Sequence, residues 1–190
     1  MHHSTQLTGR TRTGLALFTL SFFLFCLVIG ATCYELVALI PNWAGGTRTE
    51  LEAFRGFFRF RHPGHFFRSI MPLVLLTLLS SALLLRGRPE GAGKRLLWVL
   101  AAVLVPELFT VGYFIPRNFV LFLNPLNNVS DANLVQTAKE WQVANWIRAV
   151  LLFGVAGIYL RTALFLARAR FSAPAVAATT KTSTRATAVA

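Results

Sequence analysis

The sequence predicts an all-α integral membrane protein: a four-helix bundle with an interfacial amphipathic connector between helices one and two. Of the 190 residues, 55% are hydrophobic and only 14% are charged, whereas soluble domains carry about 25% charged residues. The apolar residues form four long stretches, and the basic residues cluster in short patches between them. The net charge of +12 therefore does not indicate nucleic-acid binding, which requires a folded basic surface.

Each apolar stretch approaches or exceeds the roughly 17 to 25 residues that span a bilayer. The first contains Glu35 as its only charged side chain, and it is too long to be the apolar region of a cleaved signal peptide. The third contains only Glu107, whereas Arg148 and Arg161 interrupt the fourth. The predicted spans cover about 15–40, 69–85, 96–115 and 143–167.

Four spans place both ends of the chain on the same side of the membrane. More basic residues flank that side than the opposite one, so the positive-inside rule predicts cytoplasmic termini and a multi-pass protein of a bacterial inner membrane. We expect residues 1–14 to form a cytoplasmic segment. Residues 168–190 lack apolar periodicity and are predicted to be a disordered tail. The sequence leaves the oligomeric state open.

Three charged residues are predicted to share one layer in the outer half of the bundle. At about 1.5 Å per residue, Glu35 and Arg148 lie about 8 Å and Glu107 about 12 Å from the outer ends of their spans. Each would cost about 2.5 to 3.5 kcal/mol in hydrocarbon, so each is a candidate functional residue. Arg148 either only locks the helices through an ion pair, or lines a pocket with Glu35 and Glu107 as candidate catalytic carboxylates.

The connector between the first two spans, residues 52–68, mixes phenylalanines with arginines in the manner of an interfacial helix. It ends in the turn His62-Pro63-Gly64-His65. These histidines either cap the second helix or contact lipid, or else His65 acts as a general base while His62 contacts substrate. We expect no metal, because Pro63 and Gly64 interrupt helical ligand spacing.

A second polar patch joins the third and fourth spans. Pro116 is predicted to end or kink the third helix, which would bring Asn118 to the outer interface. In the fourth span, Trp141, Asn145 and Arg148 recur at helical spacing on one face. A polar stripe on a membrane helix should face the bundle interior, so these three residues should point toward Glu35 and Glu107.

Three of these elements resemble the anthrone-oxygenase-like family of small four-helix integral membrane proteins. They are the Gly30–Pro41 segment with Tyr34, the Pro116-Arg-Asn118 stretch, and Trp141-x3-Asn145-x2-Arg148; the resemblance covers about residues 15–165. It implies oxidation of a fused-ring anthrone to a quinone by dioxygen without metal, flavin or other cofactor. The pocket residues it implies are Asn118, Trp141, Asn145 and Arg148.

Two further functions remain open at the level of sequence. One is a non-catalytic binding, accessory or transport subunit in which Glu35, Glu107 and Arg148 form a structural lock. The other is a proton- or solute-conducting path through the two glutamates, although the repeated halves typical of transporters are missing. In each case the expected partners are the lipid bilayer and, for an enzyme, a hydrophobic small molecule.

Overall fold

A computed structural model describes residues 9–87 and 89–186, with side chains described as far as residue 169. Throughout these residues the chain forms helices and turns without strands. Four helices are long and apolar enough to cross a membrane. The chain is therefore an all-α, multi-pass integral membrane bundle, as predicted. The spans are Gly9–Asn42, Pro63–Leu84, Ala92–Leu123 and Asp131–Ala169.

The spans are not uniformly α-helical. The first consists of α1 (Gly9–Tyr34), a π-helical turn (Glu35–Leu39) and a 3₁₀ turn (Ile40–Asn42). The connector helix and the second span are α-helical throughout. Two further π-helical turns lie in the outer part of the third span, where outer denotes the end of the bundle opposite the chain termini. The remaining elements are α2 (Arg48–Phe57), α3 (Pro63–Leu84), α4 (Ala92–Phe109), a π turn (Thr110–Phe114), α5 (Ile115–Asn118), a π turn (Phe119–Leu123), a 3₁₀ turn (Leu126–Asn128) and α6 (Asp131–Ala186).

The spans pack as a closed ring in which α1 contacts α3 and α6, and α4 contacts α3 and α6. Near the start of the first span, Arg10 donates to the carbonyls of Leu83 and Leu84 at the end of α3. Deeper in the bundle, the hydroxyl groups of Ser21 and Tyr159 lie 2.8 Å apart. Apolar side chains on the outer faces of all four spans are exposed, as lipid contact requires.

The helices extend beyond the predicted apolar stretches. The first begins at Gly9 instead of residue 15, and the fourth at Asp131 instead of residue 143. The predicted bounds follow the hydrocarbon layer alone, whereas a helix continues into the interface, where Arg, Trp and polar side chains are favourable.

Pro116 does not end the third helix. The helix continues through Pro116 to Leu123 by switching between π-helical and α-helical turns. A π-helical turn shifts the backbone hydrogen bonds by one residue, which accommodates a proline that has no N–H to donate. The third span is therefore longer than predicted at its outer end.

The connector helix covers Arg48–Phe57, so the segment 58–62 that was predicted to be part of it is a bend. Thr47 and Glu50 form a capping box at its start. Arg55 of this helix donates to the carbonyls of Leu121 and Asn124 at 2.7 and 2.8 Å. The connector thereby closes the carbonyl end of the third span.

The backbone of α6 is helical as far as Ala186, where the sequence predicts a disordered tail over 168–190. Alanine-rich sequence favours continuation of a helix. Residues 1–8 and 187–190 lie outside the described residues, so the predicted N-terminal segment is described only from Gly9. Disorder of the tail stays a prediction.

Gly46 should be far less tolerant of substitution than Gly56. Gly46 has φ +70°, and an added Cβ would lie 2.8 Å from both the Cβ of Ala138 and the Cα of Val135. Left-handed strain and overpacking together should lower stability by about 2 to 4 kcal/mol in Gly46→Ala. Gly56 lies within α2 with nothing near its Cβ position, so Gly56→Ala should be neutral or stabilising by up to about 1 kcal/mol.

Thermal unfolding of the two variants in the same detergent micelles measures this difference. An equal Tm for both variants would show that the turn after the first span does not pack against α6 in the membrane protein.

Candidate functional site

An ion pair joins the first and fourth spans in the outer half of the bundle. The guanidinium Nη2 of Arg148 lies 3.1 Å from Oε2 of Glu35. Both side chains are nearly buried, with exposed fractions of 10% and 12%. Glu35 opens the π-helical turn of the first span, and π-helical turns recur at functional sites because they displace one residue from the helical register.

Polar atoms without partners among the described residues occur on Arg148 itself and on Asn145, which lies on the same face of the fourth span. Asn145 is fully buried, and neither its amide nitrogen nor its amide oxygen has a hydrogen-bond partner among the described residues. Nε of Arg148, one helical turn away, is also unpartnered within them. A buried amide without partners costs about 1 to 3 kcal/mol. We call Glu35, Asn145 and Arg148 the Arg148 cluster.

Aromatic rings enclose the guanidinium of Arg148. Its Cζ lies 5.1 Å from the ring centroid of Phe67 and 5.0 Å from that of Phe114. Rings at this distance attract a cation through their negative faces. Arg148 is therefore held by one carboxylate and two rings, which compensates for its removal from water.

The predicted polar stripe on the fourth span faces the interior. Trp141 is 7% exposed, and its Nε1 donates to Oδ1 of Asn118 at 2.8 Å. The indole also packs at a centroid distance of 5.0 Å against Trp43, which follows the first span. The structure thus brings Asn118 and Trp141 together as a bonded pair adjoining the Arg148 cluster.

A cavity of about 830 Å³ opens between the first span, α2 and the start of α3. We call it the outer cavity. Its volume falls within the range typical of small-molecule sites. Glu35 and Phe67 line it and also contact Arg148, which is not itself a lining residue. The aromatic side chains that line it are Tyr34, Phe54, Phe57, Phe58, Phe66 and Phe67.

The two arrangements that the sequence left open coexist. Glu35 and Arg148 are closed on each other as an ion pair, and the same glutamate lines an open cavity beside His62 and Phe66. A second cavity, of about 410 Å³ between the third and fourth spans, is lined by none of the predicted site residues.

The two histidines of the turn cap the second span. Nδ1 of His62 accepts from the backbone N–H of Gly64, and Nδ1 of His65 accepts from that of His62. His62 also lines the outer cavity, but His65 does not. Burial lowers the pKa of His62, and electrostatic repulsion from His65, when that ring is protonated, and from Arg68 lowers it further. His65 thus caps the second span and does not line the outer cavity, where a general base would act.

Glu107 is placed near Arg148 without being bonded to it. The two side chains attract each other electrostatically, yet among the described residues Glu107 forms no ion pair and does not line the outer cavity. Pro106 lies inside the helix next to it. The structure thus separates the two candidate carboxylates: Glu35 contacts both the cavity and the arginine, whereas Glu107 contacts neither.

Sequence reasoning missed the aromatic components of the site. Phe67 and Phe114 belong to apolar runs in which every residue is a candidate for lipid contact, so no pattern distinguishes them. Trp43 is a partial exception: a tryptophan between a span and the glycine pair Gly45-Gly46 indicates a turn that packs closely on something. Only the folded structure shows that it packs on Trp141.

A family model described as anthrone oxygenase matches residues 62–158, just over half of the chain. The chain belongs to the anthrone oxygenase family. The match contains the HPGH turn, Asn118, Trp141, Asn145 and Arg148, and it begins after the first span. The resemblance carried by Gly30–Pro41, Glu35 included, therefore lies outside the matched residues. No curated protein and no solved structure matches the chain.

Glu35 and Arg148 should be energetically coupled, so that removing one partner destabilises the protein by leaving the other buried and uncompensated. Glu35→Gln leaves a buried arginine without its carboxylate and should lower stability by about 2.5 to 3.5 kcal/mol. Arg148→Gln should have a similar effect. The double variant should lose clearly less than the sum of the two, because neither uncompensated charge remains. Thermal unfolding of the four proteins in nanodiscs measures this coupling.

Glu107→Gln is the matched control, since Glu107 is not bonded to the arginine. A Tm loss for Glu107→Gln as large as for Glu35→Gln would mean that the arginine is balanced by both carboxylates together.

Proposed function

We propose that this member of the anthrone oxygenase family is a cofactor-independent oxygenase that acts on a hydrophobic aromatic substrate in the outer half of the membrane. The observation that carries the proposal is the position of Glu35, which lines the outer cavity and is bonded to Arg148 beside the unpartnered amide of Asn145. The family supports dioxygen chemistry on a fused-ring ketone, and the residues supply a base and donors for it.

The outer cavity suits a flat apolar substrate that arrives through the lipid. Aromatic side chains form its walls, and small residues, Ala31, Ala38 and Ala53, leave space between them. Flat rings stack favourably on such side chains. A substrate lying there has its edge near the carboxylate of Glu35.

Glu35 then removes a proton from the methylene carbon opposite the substrate's ketone. The electron pair delocalises onto the ketone oxygen, giving an enolate. The enolate carbon transfers electrons to dioxygen and bonds to it, and the peroxide takes up a proton. Loss of water breaks the O–O bond and leaves a second ketone. Overall, CH₂ and O₂ become C=O and H₂O, so dioxygen is the only oxidant required.

Arg148 and Asn145 stabilise the negative charge that forms. When Glu35 takes a proton, its attraction for the guanidinium weakens, and Arg148 becomes available to the enolate oxygen. The amide of Asn145 provides a second donor on the same helix face. Phe67 separates the outer cavity from these donors, so a rotation of its ring is part of the proposed cycle.

Replacement of Glu35 should abolish turnover in protein that remains folded. With anthrone as the probe in nanodiscs, we expect anthraquinone formation and oxygen uptake in equal amounts. Glu35→Gln should lower kcat/KM by at least about a hundredfold, the contribution of a positioned general base. Asn145→Ala, which changes no charge, should lower it by about tenfold or more. Product absorbance and an oxygen electrode measure both rates, after subtraction of empty nanodiscs.

Glu90→Gln provides the matched control, because Glu90 lies in the turn between the second and third spans, at the opposite end of the bundle. Its turnover should equal that of the unmodified protein. Folded Glu35→Gln protein that oxidises anthrone at the unmodified rate would overturn the assignment of Glu35 as base.

A non-catalytic membrane protein is the second candidate, and the closed ion pair favours it. In that case the Glu35–Arg148 contact only fixes the first span against the fourth. Anthrone turnover before and after exchange of the two residues, Glu35→Arg with Arg148→Glu, distinguishes the candidates: a non-catalytic lock shows no turnover above empty nanodiscs in either protein, whereas the oxygenase shows turnover that the exchange removes because the carboxylate has moved away from the outer cavity.

We further propose that the termini are cytoplasmic and that the membrane is a bacterial inner membrane. The excess of basic residues on the side of the termini supports this orientation. Green fluorescent protein fused after Ala190 should fluoresce, whereas alkaline phosphatase at the same position should be inactive. Phosphatase activity in that fusion would reverse the orientation and place the outer cavity in the inner leaflet.

A further inference from the structure

The outer cavity has an unbalanced positive charge at the bend that precedes the second span. Its lining includes one carboxylate, that of Glu35, and one guanidinium, that of Arg61. The charge of Glu35 is balanced by its ion pair with Arg148. Arg61 has neither an ion pair nor a hydrogen bond among the described residues. One cation therefore faces the cavity without a counter-charge.

The neighbouring titratable groups do not supply the missing anion. His62 lines the cavity beside Arg61, and its pKa is lowered by burial and by the charges of His65 and Arg68. An imidazole side chain is either neutral or positive, so it adds no negative charge. The positive potential at this end of the cavity is thus retained under ordinary conditions.

The two ends of the outer cavity differ in chemistry. Arg61 belongs to the exposed bend between α2 and α3, whereas Glu35 belongs to the first span inside the bundle. Aromatic and small side chains occupy the space between them. An anionic group on a ligand is attracted by the unpaired Arg61, whereas the charges at the Glu35 end are already paired, so the aromatic body of the ligand is oriented toward Glu35.

We propose that the outer cavity binds aromatic compounds bearing an ionised carboxylate, and that Arg61 pairs with this group. The inference rests on the proposed function in taking the outer cavity as the substrate site, and it adds the acidic group that a substrate of this protein carries. Arg61 is a binding and orienting residue in this arrangement, since it pairs with the carboxylate of the ligand and not with the reacting carbon.

Binding of two matched probes tests the proposal. Anthracene-2-carboxylate and anthracene-2-carboxamide have the same ring system and differ in charge at pH 8. Affinity is measured in phosphatidylcholine nanodiscs by energy transfer from tryptophan to anthracene, with empty discs subtracted. We expect the protein to bind the carboxylate about fivefold more tightly, the value of a solvent-accessible ion pair. Arg61→Gln should remove this preference and leave the carboxamide affinity unchanged, whereas Arg61→Lys should keep it.

Arg59→Gln is the matched control. Arg59 lies two residues earlier in the same bend, stacks on Phe60 at 4.5 Å and does not line the cavity. Both variants lower the interfacial charge equally, so general attraction of anions to the disc changes equally. Equal affinity of the unmodified protein for the two probes, or an equal loss in Arg59→Gln and Arg61→Gln, would overturn the proposal.

Repeating the binding measurement in nanodiscs that contain phosphatidylglycerol tests whether a lipid phosphate pairs with Arg61 instead. Persistence of the preference supports an aromatic acid as the ligand. Its disappearance assigns Arg61 to lipid headgroups and overturns the proposal. The probes do not react, so this outcome is separate from that of anthrone turnover: either can fail while the other holds.

Discussion

An arginine inside a lipid-facing bundle needs a counter-charge, and the contact between Arg148 and Glu35 at 3.1 Å provides it. This contact determines much of the outer half of the protein. It fixes the first span against the fourth at a single depth, where the π-helical turn beginning at Glu35 sets the register. The rings of Phe67 and Phe114 then close around the guanidinium from the second and third spans. All four spans therefore meet at one charged group.

The connector has a related role at the interface. Arg55 bonds to carbonyls at the end of the third span, and Arg48 bonds to Asp131 at the start of α6 at 2.7 Å. The Arg55 bonds satisfy carbonyls at a helix end that would otherwise have no partners near lipid, and the Arg48 bond ties α2 to the start of α6. They also hold α2 in position as one wall of the outer cavity. The arginine-rich composition of the connector is thus only partly explained by attraction to the membrane surface.

Much of the architecture followed from local pattern, and much of the site did not. The length of the apolar stretches predicted the number of spans, and helical spacing predicted that Trp141, Asn145 and Arg148 share an inward face. Depth arithmetic brought Glu35 and Arg148 into one layer. The choice of Glu35 over Glu107 as the partner of Arg148 depended on helix rotation, which the π-helical turns alter and which no apolar pattern specifies.

The sequence alone determined that this chain crosses the membrane and that its few ionisable residues within the spans require explanation. Hydrocarbon imposes this constraint on every residue separately, so composition and spacing suffice to detect it. The tertiary structure alone decided which residues enclose the ion pair, that Glu35 also lines a cavity, and that the connector closes it. Those features depend on contacts between side chains distant in the chain, such as Phe67 with Arg148, and lipid-facing and cavity-facing phenylalanines are indistinguishable until the helices are packed.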